Sequence, residues 1–133
     1  MIKVLIFGVF DGLHEGHRFF LREAKKLGDF LAVVVTRDEI VKKIKGKSPR
    51  QNFIERRTLL EKEKYVDEVL EGDSELESWK IFEKLKFDIV ALGYDQISLK
   101  KSLEDYFVKV GWNPEIKTIK SFEPEKYKSS LII

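Results

Sequence analysis

The chain has 133 residues, with 25 basic and 23 acidic side chains, a formal net charge of +2 and no cysteine. The near-balance of charge argues against a dedicated nucleic-acid-binding protein, and the lack of cysteine excludes disulfides, thiolate nucleophiles and cysteine-ligated zinc. The first apolar run, residues 2–10, is too short to cross a membrane, and no signal sequence is visible. We therefore expect a cytoplasmic protein with neither a membrane nor a nucleic-acid partner.

Short β-branched runs alternate with longer amphipathic segments. Residues 3–7 and 30–35 are near-continuous apolar runs of strand length, and residues 15–27 between them carry apolar side chains at helical spacing. Thr36 is the predicted N-cap of a short helix that ends near Val41, and the basic stretch 42–49 is predicted to be a mobile loop. The later predictions are helices at 53–64, 76–85 and 99–110, and strands at 66–70, 88–92 and 115–120.

This alternation predicts a single α/β domain, residues 1–133, built on a doubly wound, Rossmann-like parallel sheet. Ligands of such folds bind beyond the carboxyl ends of the strands. We therefore expect the segments 8–17, 36–49 and 93–96 to meet at one site.

The first predicted strand runs into a glycine-rich turn that contains both histidines of the chain, His14 and His17. A strand, a turn and the N-terminus of a helix form a natural anion site, because unpaired N–H groups and the helix dipole face the ligand. His14 precedes the predicted helix and His17 lies in its first turn, so both could donate to the same phosphate oxygens. Gly16 would let a bulky group approach the backbone.

A zinc site, a dinucleotide-binding turn and a P-loop fit these residues less well. A metalloprotease-type zinc pair needs histidines four residues apart, but position 18 is Arg18. The glycines do not spell a dinucleotide-binding fingerprint, and Gly46-Lys47-Ser48 lacks the earlier glycine of a P-loop, where Val41 stands. The remaining alternative is that both histidines only cap a helix.

Residues 8–17, Gly-Val-Phe-Asp-Gly-Leu-His-Glu-Gly-His, resemble the signature of the cytidylyltransferase-like nucleotidyltransferases, whose hallmark is His-x-Gly-His. The resemblance extends over nearly the whole chain, through the segment 36–39, Arg56 with the segment 65–69, and the segment 92–96, to the serines near the C-terminus. It implies in-line attack by an acceptor phosphate on the α-phosphorus of a nucleoside triphosphate, with pyrophosphate leaving. The implied catalytic residues are His14, His17 and Lys45, which lies in the basic loop with Lys43 and Lys47 as further candidates.

The resemblance also implies a set of nucleotide-binding residues. Asp11 would orient magnesium or the acceptor, Asp95 would bond ribose or base, and Arg56 is either a ligand contact or a surface charge of its helix. One departure is that the family's C-terminal arginine is missing, where Lys128 could replace its charge. The residues predicted to bind the nucleotide are Gly8, Val9, Phe10, Asp11, Glu15, Gly16, Arg56, Gly93, Asp95, Ser129 and Ser130.

The Gly-Tyr-Asp-Gln turn at 93–96 and the serine pair resemble archaeal FAD synthases more than glycerol-3-phosphate cytidylyltransferases. The resemblance favours adenylyl transfer from ATP to FMN, with Mg²⁺ or another divalent cation accompanying the triphosphate. The alternatives are CTP-dependent transfer to glycerol 3-phosphate or a sugar phosphate, and a non-catalytic nucleotide-binding module. The expected partners are a nucleoside triphosphate and a small phosphorylated acceptor. No dedicated metal site is visible, and a homodimer is compatible with the sequence.

Overall fold

The computed structural model describes residues 1–76, 78–83 and 85–120. Five parallel strands form one sheet in the order β3-β2-β1-β4-β5. The strands are β1 (Lys3–Gly8), β2 (Phe30–Val35), β3 (Glu68–Glu71), β4 (Ile89–Gly93) and β5 (Glu115–Ile119). The helices are α1 (Glu15–Lys25), α2 (Asp38–Lys45), α3 (Phe53–Glu61), α4 (Ile97–Val110) and a short 3₁₀ helix, Lys80–Glu83. The predicted doubly wound, Rossmann-like parallel sheet is confirmed.

The central strands are apolar on both sides because each face of the sheet is covered. One core cluster joins alternate residues of β1 and β2 to Leu21 and Ala24 of α1 and Leu60 of α3. The other joins the intervening strand residues to Phe82 of the 3₁₀ helix and to α4. Every side chain of β2 from Leu31 to Val35 is buried, as expected for a strand covered on both faces. Within the described residues, no helix is both long and apolar enough to span a membrane.

Two local predictions in the β2–α3 region are wrong. Thr36 does not cap α2: its amide and its Oγ1 both donate to the carbonyl of Gly8, and Arg37 occupies the N-cap without a side-chain bond. The helix also continues to Lys45 and ends at Gly46, whose φ of 78° is left-handed. The first part of the predicted loop is therefore helical, and its lysines lie in the last turn, where they suit the helix dipole.

The predicted helix over residues 76–85 is also wrong, since among the described residues of that range helical structure is confined to the 3₁₀ helix Lys80–Glu83. The apolar residues Trp79, Phe82 and Leu85 recur every three residues, and all three pack in the second core cluster. A period of three is that of a 3₁₀ helix, in which residues i and i+3 lie in line, rather than the 3.6 of an α-helix. The connection from β3 to β4 is consequently less regular than the others.

Candidate active site

A cleft of about 590 Å³ opens at the carboxyl edge of the sheet between β1 and β4. The two strands pair at Val4–Ile89 and Leu5–Val90, and their pairing stops there. The strand order reverses at this point, since β1 leads to β2 on one side while β4 and β5 lie on the other. Doubly wound folds bind ligands at such a reversal. The turns at 8–17 and 93–96 meet in the cleft as predicted, and Lys45 joins them from the end of α2.

The two histidines are held by reciprocal bonds at the N-terminus of α1. Nδ1 of His14 accepts from the amide of Gly16 at 3.0 Å, and Nδ1 of His17 accepts from the amide of His14 at 3.2 Å. The rings stack with centroids 3.8 Å apart and an interplanar angle of 22°. A neutral imidazole whose Nδ1 accepts a hydrogen bond carries its proton on Nε2. The pair therefore does cap the helix, as one alternative held, and also presents two Nε2–H donors side by side at the cleft.

The electrostatic environment keeps His17 neutral. Burial, and after it the electrostatic influence of His14, Lys45 and Arg18, lowers the pKa of His17 to about 4. At neutral pH this side chain is thus a hydrogen-bond donor without a net charge. Lys45 and Lys120 line the cleft and supply positive charge suited to a polyphosphate, beside the carboxylates of Asp11 and Asp95.

The turn before the histidines has an unusual backbone at Phe10. This residue has a φ of 55°, is only 5% exposed, and packs its ring edge-on against His17 with centroids 5.3 Å apart. The ring also lies over Gly8, where a Cβ would be 2.5 Å from Cε2 of Phe10. Glycine at position 8 therefore allows Phe10 to fold beneath His17. Left-handed backbone at a non-glycine residue costs free energy and is typical of functional turns.

Arg56 holds the same turn from below. Its side chain is 1% exposed. The guanidinium donates to the carbonyls of Val9 at 2.8 Å and Gln51 at 3.0 Å and to Oδ1 of Asp38 at 2.6 Å. The alternative that Arg56 is a surface charge of its helix is wrong, because the side chain is buried. The predicted ligand contact is not formed by this geometry either, because each of these donors is directed at protein and Arg56 does not line the cleft.

Asp11 connects the same turn to the segment between α2 and α3. Its two carboxylate oxygens accept from the amides of Arg50 and Gln51 at 2.8 and 2.9 Å, and Oε1 of Gln51 accepts from the amide of Gly12. Burial by itself would raise the pKa of the Asp11 carboxyl, but these amide bonds and the nearby arginines outweigh it and lower the pKa. Asp11 lines the cleft as an anion that is already bonded to backbone, so its predicted role with magnesium or the acceptor stays a prediction.

The turn after β4 contains a residue that the sequence did not single out. Oε1 of Gln96 accepts from the amide of Gly93 at 2.8 Å, and its Nε2 donates to the carbonyl of Phe7 at 3.1 Å. The amide side chain thus bridges β1 and β4 beyond their last paired residues. Only the spatial meeting of two distant segments reveals this role, so no sequence signal could have found it.

The structure divides the other predicted residues into three groups. Gly8, Val9, Phe10, Gly16, Lys45, Gly93 and Asp95 line the cleft. Lys43, Lys47 and Glu15 do not, and Glu15 forms an exposed ion pair with Arg18 instead. Ser129, Ser130 and Lys128 lie outside the described residues. Sequence reasoning missed Phe7, Phe19, Phe20 and Lys120 as lining residues, and it placed Tyr94 and Gln96 there only as members of the segment 93–96.

The sequence matches the family described as cytidylyltransferase-like over residues 5–133. The chain belongs to this family. The resemblance predicted from the His-x-Gly-His turn is therefore confirmed, and with it the nucleotidyltransferase class of enzyme.

Similar proteins include FAD synthases from archaea. The chain is 41% identical over 130 residues to the FAD synthase of Thermococcus sibiricus, covering 98% of this chain and 85% of that protein. It is 44% identical over 124 residues to the FAD synthase of Ferroglobus placidus, covering 92% of this chain and 79% of that protein.

Solved structures give the same fold. A crystal structure from Thermoplasma volcanium, described as a lipopolysaccharide core biosynthesis protein, superposes with a TM-score of 0.83 at 38% identity, covering 92% of this chain and 98% of that one. Pantothenate synthetase from Thermus thermophilus superposes with a TM-score of 0.60 at 12% identity, covering 90% of this chain and 56% of that one. The latter likeness concerns the fold alone.

Proposed function

We propose that the chain is an FMN adenylyltransferase, which transfers AMP from ATP to the phosphate of FMN and releases pyrophosphate. The observation that carries the reaction class is the stacked histidine pair, whose Nδ1 atoms are occupied by backbone amides and whose Nε2–H groups remain for a ligand. The choice of ATP and FMN is supported by FAD synthases at about 40% identity over nearly the whole chain.

In this proposal the triphosphate lies along the turn at 8–17, at the N-terminus of α1. His14 and His17 donate from Nε2 to oxygens of the α-phosphate, and Lys45 supplies positive charge. A phosphate oxygen of FMN attacks the α-phosphorus, the bond from that phosphorus to the bridging oxygen breaks, and pyrophosphate departs with the bonding electrons. The phosphate of FMN has lost most of its protons at neutral pH, so it needs no general base. Catalysis rests on positioning and on donors matched to the transition-state charge.

Magnesium enters this proposal as part of the substrate. Among the described residues, no group of three or more histidine, aspartate or glutamate side chains could hold a metal ion. Mg²⁺ commonly keeps most of its waters and binds through substrate phosphates. We therefore assign it to the triphosphate, with the carboxylates of Asp11 and Asp95 at the cleft as the side chains able to contact its water shell.

Pyrophosphate release in the presence of magnesium tests the proposal. ATP and CTP are each paired with FMN, glycerol 3-phosphate and a panel of sugar phosphates, and release is expected only with ATP and FMN. His14→Ala and His17→Ala should each lower the rate by about 10²–10³, the usual cost of losing one such donor. Glu23→Ala, at a residue of the same helix that pairs with Lys26 and does not line the cleft, is the matched control and should keep the wild-type rate.

The other outcomes separate the alternatives. Release with CTP and glycerol 3-phosphate would establish the cytidylyltransferase instead. Bound nucleotide with no release for any acceptor would favour the non-catalytic module.

A further inference from the structure

Two lysines line the cleft from opposite sides of the sheet. Lys45 ends α2, which follows β2, whereas Lys120 directly follows β5. In the strand order, β2 and β5 lie on opposite sides of the reversal between β1 and β4. Neighbouring strands are about 4.8 Å apart, so β5 lies about 10 Å from β1, the strand that leads into the histidine turn, residues 8–17. The cleft therefore has a cationic side chain on each side.

The register of the last two strands fixes the position of Lys120. Gly93 of β4 pairs with Ile119 at the end of β5. The next residues of the two strands are Tyr94 and Lys120, which therefore stand side by side at the rim, and both line the cleft. Ile119 is 7% exposed and packs in the first core cluster with Leu21 of α1. The backbone that carries Lys120 is thus anchored, while its side chain is exposed.

The ammonium group of Lys120 is not committed to a carboxylate of the described chain. Among the residues that the structure describes, neither Lys45 nor Lys120 forms an ion pair. The carboxylate of Asp11 is bonded to backbone amides. That of Asp95 folds back over Gly93, with Oδ1 3.0 Å from the place of a Cβ. Both lysines can therefore offer their charge to an anionic ligand.

Electrostatics distinguish the two lysines. Burial lowers the pKa of His17 most, and the influence of His14, Lys45 and Arg18 follows. Lys120 is not among the groups that lower this pKa. Lys45 therefore lies at the histidine pair, where the α-phosphate is proposed to bind, and Lys120 lies farther from it.

The proposed reaction brings several negative charges into one cleft. An acceptor phosphate must approach a triphosphate, and like charges at such short distances repel strongly when water is partly excluded. Cations at the histidine turn offset the charge on one side of the cleft only. A second cation about 10 Å away, beyond the end of β5, can offset the charge of another phosphate group.

We infer that Lys120 binds a second phosphate group of the substrates, on the β5 side of the cleft and apart from the α-phosphate at the histidines. The inference rests on the proposed function and deepens it, because it names a phosphate-binding residue outside the histidine turn. Two sources supply such a group, the phosphate of the acceptor and the terminal phosphates of ATP. Both present oxyanions that accept charge-assisted hydrogen bonds from an ammonium. The acceptor is the expected source, because Lys45 and the histidine turn already serve the triphosphate in the proposed arrangement.

The test compares ligands with and without phosphate. Lys120→Met removes the charge and keeps most of the side-chain length, and Lys120→Arg keeps the charge. Lys117→Met is the matched control, since Lys117 belongs to the same strand, pairs with Glu115 at 3.3 Å and does not line the cleft. Titration calorimetry gives the Kd values of FMN, riboflavin, ATP with magnesium, and adenosine. Circular dichroism checks the folding of each variant.

Lys120→Met is expected to raise the Kd of FMN about tenfold, equivalent to about 1.4 kcal/mol, with the Kd of riboflavin changed less than about twofold. A tenfold rise for ATP with adenosine unchanged would also support the inference and would assign the lysine to the triphosphate. Lys120→Arg should retain most of the affinity, because the guanidinium also binds phosphate. Lys117→Met should match the wild type for all four ligands. Added salt should reduce the difference between wild type and Lys120→Met.

Two results would overturn the inference. One is wild-type Kd values for both FMN and ATP in Lys120→Met. The other is an equal rise for the ligands with and without phosphate, which would indicate a change of cleft shape rather than a lost phosphate contact. Either result leaves the proposed function intact if the wild type forms FAD. A wild type that forms no FAD would remove the proposed function, and the comparison of ATP with adenosine would still test Lys120.

Discussion

Replacing Arg56 by methionine tests whether a buried guanidinium holds the catalytic turn. Methionine keeps most of the length and apolar contact of the side chain but removes the charge and all three bonds, at 2.6, 2.8 and 3.0 Å. Removing one member of a buried ion pair costs about 3–5 kcal/mol. Here the side chain of Asp38 is 43% exposed and can be rehydrated, which lowers that cost. We expect the free energy of unfolding to fall by about 2–4 kcal/mol, including the two carbonyls left without a donor.

The assay is urea unfolding followed by circular dichroism, with Arg57→Met as the control. Arg57 is the next residue on α3, and its guanidinium lies over Phe53 at 5.5 Å, so we expect a loss of less than about 1 kcal/mol from it. Arg56→Met should also lower kcat under conditions where it is fully folded, because the carbonyl of Val9 loses its anchor. A loss below about 1 kcal/mol for Arg56→Met, or an equal loss for both variants, would refute the reasoning.

Three further perturbations address the cleft. The pKa of His17, lowered to about 4 by burial and then by the electrostatic influence of His14, Lys45 and Arg18, lies below that of an unfolded histidine, about 6.5. The unfolded state therefore binds more protons between these values, so stability should fall as pH drops from about 6.5 to 4. His17→Gln should remove this pH-dependent part of the stability. Urea titrations at several pH values would contradict the prediction if the free energy of unfolding changed equally with pH in both proteins. Gln96→Leu loses the bond to Gly93 within the turn and the bond to Phe7 across the β1–β4 gap, and it should lower kcat/KM about tenfold in steady-state kinetics, with unchanged circular dichroism; wild-type kinetics would count against a positioning role. Gly8→Ala places a Cβ 2.5 Å from the ring of Phe10, so we expect a loss of about 1–3 kcal/mol in thermal or urea unfolding and a slower reaction, and unchanged values for both would show that the turn can relax.

The sheet could be predicted from sequence because its strands are buried on both faces. Residues 30–35 are a continuous apolar run for this reason, and β2 occupies those positions. The connection around Trp79 was predicted incorrectly because short apolar patterns with spacings of three and 3.6 residues overlap within about ten residues. Tertiary contacts with Phe7 and the second core cluster decide between them.

The histidine turn could likewise be predicted, because local sequence alone encodes a strand, a glycine-rich turn and a helix N-terminus. The roles of the residues that hold this turn could not be predicted in the same way. Arg56 has partners at Val9 and Asp38, which lie 47 and 18 residues away, and Gln96 reaches Phe7 across 89 residues. A single sequence does not show which distant residues come into contact. The burial of Arg56 was also unexpected, because arginine side chains are usually exposed.

The most direct test of nucleotidyl transfer to FMN follows the phosphorus atoms of ATP through the reaction. The protein is incubated with FMN, magnesium and ATP labelled at either the α- or the γ-phosphate, and the flavin products are separated by chromatography. We expect the α-label to appear in FAD and the γ-label in pyrophosphate, and the combination of His14→Ala with His17→Ala to abolish both. Transfer of the γ-label to the flavin, or release of the α-label only as AMP, would contradict nucleotidyl transfer to FMN.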